Sequence, residues 1–411
     1  MKHRILVIAH GHPDFSLGGA EMAAYQFFKA SQLHADVESS TFLAAHGHTA
    51  TGAIRLRREH EYLWEQTTHG SFQFQAANRS ATLKMFRALI EHLRPTAIFM
   101  HHYTSLGVET IRVIRDIVPN AKIIMTLHEM LAICNNNGQM VKTASLRLCA
   151  RETPEECNLC FPSIQTENFW LRKNFVKNYF NLIDHFVTPS EFLRKRYIEW
   201  GLAPERVTMI ENGQATSNKL PPRPVPENGR RSRFGFFGQI NPYKGIDVLL
   251  EAVSALSADI RSKITLEING ANLELQSENF QSLIKNLSEP LKEEGTVQFN
   301  GPYMREDLPR RLARVDWVVV PSIWWENSPM VIQEAFALGR PVICSNIGGM
   351  AEKVEHGVDG WHVEARSARE WSETLEYLSD NDDLWMQLYN GIKAPLSYSE
   401  CVSFHLELLK P

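Results

Sequence analysis

No apolar run in this chain approaches the roughly 20 residues that cross a bilayer. The longest, at 5–9 and 317–321, are strand-sized, so a membrane-spanning helix is excluded. Nor is there an excess of positive charge: 43 lysines and arginines against 47 acidic residues leave a formal net charge of -4. Nothing in that balance points to nucleic acid, and no nucleic-acid partner is expected. The basic start Met1-Lys-His-Arg4 is followed by too short an apolar stretch for a signal peptide, and by no small-residue cleavage site. The expectation is a cytoplasmic protein whose first buried strand is 5–9. Cysteine is scarce, six in 411 residues, which argues against a disulfide framework.

What remains is the composition of a soluble globular protein, 44% hydrophobic and 22% charged. A chain of 411 residues exceeds what one core usually serves, so two domains of about 200 residues each are expected. In the first half, strand-like runs at 5–9, 96–100, 123–127 and 186–189 alternate with helical patterns at 20–31, 106–117 and 191–200, the last closed by Gly201. The second half repeats this, with strands at 234–237, 265–269, 297–300, 317–321 and 341–345 and helices at 247–256, 308–314 and 331–338. Such alternation predicts an α/β protein of two Rossmann-like, doubly wound domains, expected to face each other across a cleft. The proline-rich, basic stretch 214–230, with Pro221, Pro222, Pro224 and Pro226, reads as the linker between domains 1–213 and 231–390. The stretch 391–411 is expected to be a helix that packs back on the N-terminal domain.

The segment 321–334, PSIWWENSPMVIQE, carries the strongest chemical signal. A strand ends at Pro321 and a loop follows. Ser328 is then expected as a helix cap with Pro329 at the first helical position, and Gly339 with Pro341 ends the helix. Glu326 falls in the loop and Glu334 in the second turn, on the order of 8–9 Å from the cap. Two carboxylates so spaced suit different hydroxyls of one elongated ligand, and the free N–H groups of a helix start suit a phosphate. Open α/β sheets bind ligands at this end of their strands.

The Glu326-x7-Glu334 spacing, its Pro-Ser-x-Trp prefix and its Glu-Ala-x-Ala-x-Gly-x-Pro continuation resemble the retaining glycosyltransferases of family 4, which have the GT-B fold. Further matches stand in family order at Gly18-Gly-Ala-Glu21, Thr126-Leu-His-Glu129, Asn212-Gly213, Phe237-Gly-Gln-Ile-Asn-Pro-Tyr-Lys-Gly245 and Gly348-Gly-Met-Ala-Glu352, covering nearly the whole chain. The resemblance implies a nucleotide-diphosphate sugar donor, a glycan or lipid-linked acceptor, retention of configuration and no catalytic metal or other catalytic cofactor. It assigns Glu334 to the ribose hydroxyls, Glu326 to the donor sugar and Lys244 to the diphosphate. Gly18, Gly19, Gly238, Gln239, Asn327 and Ser328 complete the donor set. His101 joins Glu326 and Lys244 as catalytic, and His128 and Glu129 lie toward the acceptor. Where the family often has an arginine after Gly238, this chain has Gln239, so Arg233 or an N-domain basic residue would have to supply the charge.

Four of the cysteines, Cys134, Cys149, Cys157 and Cys160, share an insertion at about 130–162. They fit either a structural, tetrahedral zinc or reduced, buried thiols. The basic aromatic segments 170–180 and 192–197 fit either peripheral contact with an anionic membrane or ordinary amphipathic packing. Two other function classes stay open beside a transferase building cell-surface polysaccharide or glycoconjugate. One is a nucleotide-sugar epimerase on the same fold; the other is a catalytically silent module binding glycan or nucleotide sugar.

Overall fold

The computed structural model describes residues 2–410 except Leu17, His48, Ser71 and 226–229, with backbone alone for Arg79, Ala81 and Thr82. Met1 of the basic start and Pro226 of the expected linker lie outside the described residues. The chain forms two compact units, Met1–Gly213 with Leu396–Pro411, and Gln214–Pro395.

The first unit is built on one sheet. Its strands lie in the order Val207–Met209, His185–Thr188, Lys122–Thr126, Ala97–Met100, His3–Ala9, Val37–His46, Glu61–Glu65, Ile54–Arg58. Every neighbouring pair is parallel except the closing hairpin 54–65. Parallel strands covered on both faces are continuously apolar, and Leu6, Val7 and Ile8 are buried accordingly. The helix Glu191–Trp200 is capped by the Ser190 hydroxyl, which accepts from the Leu193 N–H at 3.2 Å. It ends at Gly201, whose φ of 110° places it in the left-handed region. The C-terminal helix Tyr398–Glu407 opens with a capping box, Ser397 and Glu400 bonding reciprocally. It buries Val402 and Leu406 in the same core as Phe28, Phe42 and Phe99.

The second unit carries a wholly parallel sheet, ordered Val297–Phe299, Thr265–Ala271, Arg233–Gln239, Trp317–Val320, Val342–Ser345, Gly360–Val363. In chain order that is 3-2-1-4-5-6, the doubly wound arrangement of mononucleotide-binding halves. Trp317, Trp371 and Trp385 are fully buried in its core. The indole N–H groups of Trp317 and Trp385 donate to the carbonyls of Arg231 (2.7 Å) and Asp316 (2.9 Å).

The expected linker 214–230 is not free-standing where it is described. The Leu220 N–H donates to the Leu338 carbonyl at 3.0 Å, Ser217 Oγ to Ala337 at 2.8 Å, and Arg223 pairs with buried Asp316 at 2.7 Å. Its prolines cannot donate, but their carbonyls still accept: the Arg340 guanidinium donates to Pro221 at 3.1 Å. The stretch is thereby part of the second unit. Among the described residues no helix is long and apolar enough to cross a membrane.

Candidate active site

In the second unit the strand order reverses between Arg233–Gln239 and Trp317–Val320, so the loops leaving these strands flank a crevice of the kind that binds ligands. Two features lock those loops together. Ile323 N–H donates to the Tyr243 carbonyl at 2.9 Å. Gly245 has φ +67° and lies so close to Pro321 that a Cβ there would stand 2.0 Å from its carbonyl oxygen. The short helical turn Pro242–Lys244 is capped by Asn241, whose side-chain oxygen accepts from Tyr243 N–H at 3.0 Å.

That framework brings Lys244 and Glu326 together. Lys244 Nζ donates to Glu326 Oε1 at 2.5 Å, and the same oxygen accepts from Ser322 Oγ (2.8 Å) and Trp324 Nε1 (3.0 Å). Glu326 is buried, while the Lys244 side chain keeps about a quarter of its surface in solvent. A buried carboxylate with three donors on one oxygen is fixed in place. Ser322 and Trp324 stand in the sequence as the Pro-Ser-x-Trp prefix of the segment, which by itself assigns them no role.

Glu334 lies on the helix Met330–Ala337, half-buried. Burial pushes its carboxyl up to about 7, opposed by the nearby Arg305 guanidinium. Arg305 was not anticipated; it also donates to the Gln214 side-chain oxygen at 3.2 Å. The helix ends in a Schellman motif, Arg340 N–H to Ala335 (2.8 Å) and Gly339 N–H to Phe336 (3.0 Å). Its start corrects the expectation for Ser328: Pro329 takes the cap position with φ -62° and ψ 118°, and no side chain caps the helix. Ser328 Oγ is buried without a protein partner. Because Pro329 is extended, the helix starts one residue later than expected, beyond reach of a cap by the serine hydroxyl.

Gly238 and exposed Gln239 close the strand Arg233–Gln239 at the crevice, and space is open where a Gly238 side chain would lie. Arg233 cannot replace the missing cation. It begins the same strand, about 20 Å away at 3.3 Å per residue, and pairs with Glu267 at 2.6 Å. Asn327 is held from behind, because its carbonyl and that of Glu326 pack on Gly349, whose N–H donates to Glu326 at 2.8 Å.

In the first unit the order reverses between His3–Ala9 and Ala97–Met100. Gly18 precedes the helix Gly19–Ser31, and a Cβ on it would stand 2.1 Å from Glu21 Oε2. The Glu21 carboxylate thus folds back on the helix start. Burial opposes its ionisation, yet hydrogen bonds from His10, Ser16 (2.6 Å) and its own backbone N–H hold it at about 2. At Gly18 and Gly19, expected in the donor set, a carboxylate of the chain already lies beside the helix start.

His102, which follows the same strand end and to which the resemblance prefers His101, faces His10 with rings 4.4 Å apart and lies 3.3 Å from Glu129 Oε1. Glu129 is pushed up to about 8 by burial, against the Leu131 N–H and the charges of His10 and Arg172. His101 turns the other way and is buried. Its Nδ1 lies 3.1 Å from His128 Nε2, and its ring lies near Phe27. Burial depresses His101 and holds His128 at about 3, so both are neutral imidazoles.

Cys134, Cys149, Cys157 and Cys160 are free and half-buried. Burial raises the thiols of the first three, Cys157 to about 12, and Cys149 Sγ donates to the Arg151 carbonyl at 3.3 Å. Among the described residues no three His, Cys, Asp or Glu side chains form a metal-holding group. As placed, the four do not converge on one point as the ligands of a tetrahedral zinc must. In the basic helices several cations have partners within the unit. In Thr166–Phe180, Arg172 is buried on three carbonyls and Lys173 pairs with Glu152 at 3.0 Å. In Glu191–Trp200, Arg194 pairs with Glu191 and Arg196 with Glu199. These cations are engaged within the unit.

Comparison with known proteins follows the same division. The model of glycosyltransferase family 4 matches residues 17–217, and that of glycosyl transferases group 1 matches 221–394. A D-inositol 3-phosphate glycosyltransferase of Thermobispora bispora is 29% identical over 267 residues, 61% of this chain and 58% of that protein. One from a Nocardioides species is 33% identical over 178 residues, 39% of this chain and 38% of the relative. The chain thus spans less than two thirds of these curated relatives. Among solved structures, Anabaena HepE in complex with UDP and glucose superposes with a TM-score of 0.68 at 17% identity, covering 99% of both chains. A sucrose-phosphate synthase from Thermosynechococcus elongatus does so with 0.68 at 15% identity, covering 98% of both. With both halves matched in order and both sheets wound alike, the chain belongs to the family 4 glycosyltransferases and has their GT-B fold.

Proposed function

We propose that this protein transfers a sugar, with retention of configuration, from a nucleotide-diphosphate donor to an acceptor hydroxyl during polysaccharide or glycoconjugate synthesis. The observation that carries the reading is the Lys244–Glu326 pair fixed at the switch point of a 3-2-1-4-5-6 sheet, with Glu334 on the helix that follows. In this reading Lys244 meets the diphosphate and stabilises the charge that develops as it departs. Glu326, immobilised by Ser322 and Trp324, accepts from hydroxyls of the donor sugar. Glu334 accepts from the ribose. The leaving phosphate oxygen takes the acceptor proton, so the protein's task is positioning and electrostatic stabilisation. The similarity to D-inositol 3-phosphate glycosyltransferases supports sugar transfer, and a fold neighbour solved with UDP and glucose supports a nucleotide-sugar donor.

A thermal-shift screen across UDP-, GDP-, ADP- and TDP-sugars tests this reading. One nucleotide class should raise the melting midpoint, since a ligand at 100 times its Kd stabilises the native state by about 2.7 kcal/mol. No response to any nucleotide would overturn the donor site.

Glu334 adds a pH signature. Its carboxyl, raised by burial to about 7, must be ionised to accept both ribose hydroxyls. Donor affinity should therefore rise between pH 6 and 8, and Glu334→Gln should flatten that dependence. For the fold the sign is opposite. A folded-state value above the unfolded one gives stability that is complete below the unfolded value near 4.5 and lost as pH rises through about 7. Calorimetry of the donor titration at both pH values distinguishes the two effects; equal affinities in wild type would remove Glu334 from the ribose contact.

A further inference from the structure

One small cavity of the first unit, about 10 Å³ in volume, is lined by His101, Thr126, Cys401 and His405, with Phe27 among its walls. Both histidines are more than nine-tenths buried, and the Nε2 atom of each is buried without a protein hydrogen-bond partner. Unpaired buried polar atoms are rare in native proteins, and here two belong to histidines that line one cavity. His405 Nδ1 lies 2.8 Å from the Cys401 carbonyl, an acceptor only, so this nitrogen carries the proton and Nε2 presents a lone pair. His101 uses its Nδ1 toward His128 Nε2, leaving its own Nε2 to the cavity. Phe27 keeps its ring 5.0 Å from His405 and 5.4 Å from His101, centroid to centroid, so it holds both imidazoles in orientation without bonding either.

We propose that an ordered water in this cavity bridges His405 Nε2 and His101 Nε2, making His405 a positioning residue that sets the tautomer of His101. A water suits the site because it can donate one O–H to His405 Nε2 and the other to His101 Nε2, which places the His101 proton on Nδ1, facing His128, and the cavity has about the volume that one water needs. A single tautomer of His101 then fixes the hydrogen bond with His128. The C-terminal helix Tyr398–Glu407 thereby holds a histidine at the end of the strand Ala97–Met100 in one state. Only the effect on turnover rests on the proposed function; the bridge is a property of the folded chain.

The test uses the full chain with 15N-labelled histidine. Nitrogen shifts should show His405 protonated on Nδ1 and His101 in one tautomer. His405→Phe should abolish that pattern at His101, while His405→Gln, whose amide can still bond a water, should retain it. Unchanged His101 signals in His405→Phe would overturn the bridge. A crystal structure of the wild type gives a readout that needs no variant to fold: density within hydrogen-bond distance of both Nε2 atoms supports the proposal, and a dry cavity overturns it. With a nucleotide-sugar donor, His405→Phe should lower kcat and leave donor Kd unchanged, and His405→Gln should restore kcat. A tautomer change without any change in kcat supports the bridge and removes His101 from the reaction, which separates failure of the functional reading from failure of this one.

Discussion

Replacing Lys244 by alanine should lower turnover by about 100-fold or more, the loss seen when one preorganised donor at a developing charge is removed (~2.7–4 kcal/mol). Gln239 contributes no charge and Arg233 is committed to Glu267 at the far end of its strand, so neither replaces the ammonium at the diphosphate. The variant also strands Glu326, whose Oε1 keeps only the Ser322 and Trp324 donors. Breaking a fully buried ion pair costs about 3–5 kcal/mol. Because Lys244 is partly in solvent, its removal should cost less than that, a measurable fall in melting midpoint without unfolding. The double variant Lys244→Ala with Glu326→Gln separates the two effects. Neutralising the stranded carboxylate should recover most of the midpoint, and turnover should stay low. Wild-type kcat in the single variant would remove Lys244 from the mechanism.

The parts of the fold that could be read from the sequence are those where one physical signal acts alone. Buried parallel strands such as His3–Ala9 and Trp317–Val320 are continuous apolar runs, and the left-handed glycine after Trp200 and the Gly339 helix end stand at their expected places. Val37–His46 was hidden because its first half, Glu38-Ser-Ser40, is polar, although Ser40 is buried and bonded to Ser31 at 2.8 Å. The helix Glu278–Glu293 carries Pro290 inside it, which argues against a helix unless it is read beside the apolar positions Phe280, Ile284 and Leu291. At the site, the spacing of Glu326 and Glu334 was legible because one loop and one helix set it. The Ser322, Trp324 and Arg305 contacts depend on how separate segments pack, and no local pattern encodes that. The Glu21 carboxylate beside the start of the first helix was equally hidden. Gly18 reads the same whether the nearby anion is a ligand or the chain's own carboxylate.

Gly349→Ala should abolish most donor binding while leaving the sheet intact. A Cβ at Gly349 would stand 1.4 Å from the Asn327 carbonyl oxygen and 3.0 Å from that of Glu326. These are backbone atoms, which no rotamer change can move aside, so residues 326–327 must shift by more than an ångström. Asn327 adjoins Glu326, and a misplacement of 1 Å in a positioned group can cost about 100-fold in rate. The neighbouring Gly349 N–H, which donates to Glu326 at 2.8 Å, would be displaced with it. Gly295→Ala is the control. That glycine has φ +79° and nothing within 4 Å of its would-be Cβ, and it precedes the strand Val297–Phe299 at the end of the sheet away from the loops that carry Lys244 and Glu326. Its replacement should cost only the backbone strain of a non-glycine in the left-handed region, about 1–3 kcal/mol, with donor affinity and kcat unchanged. If Gly349→Ala kept wild-type kcat/KM, the loop of Glu326 would not need the close approach that places it, and the fixed geometry on which the proposed donor grip rests would fall.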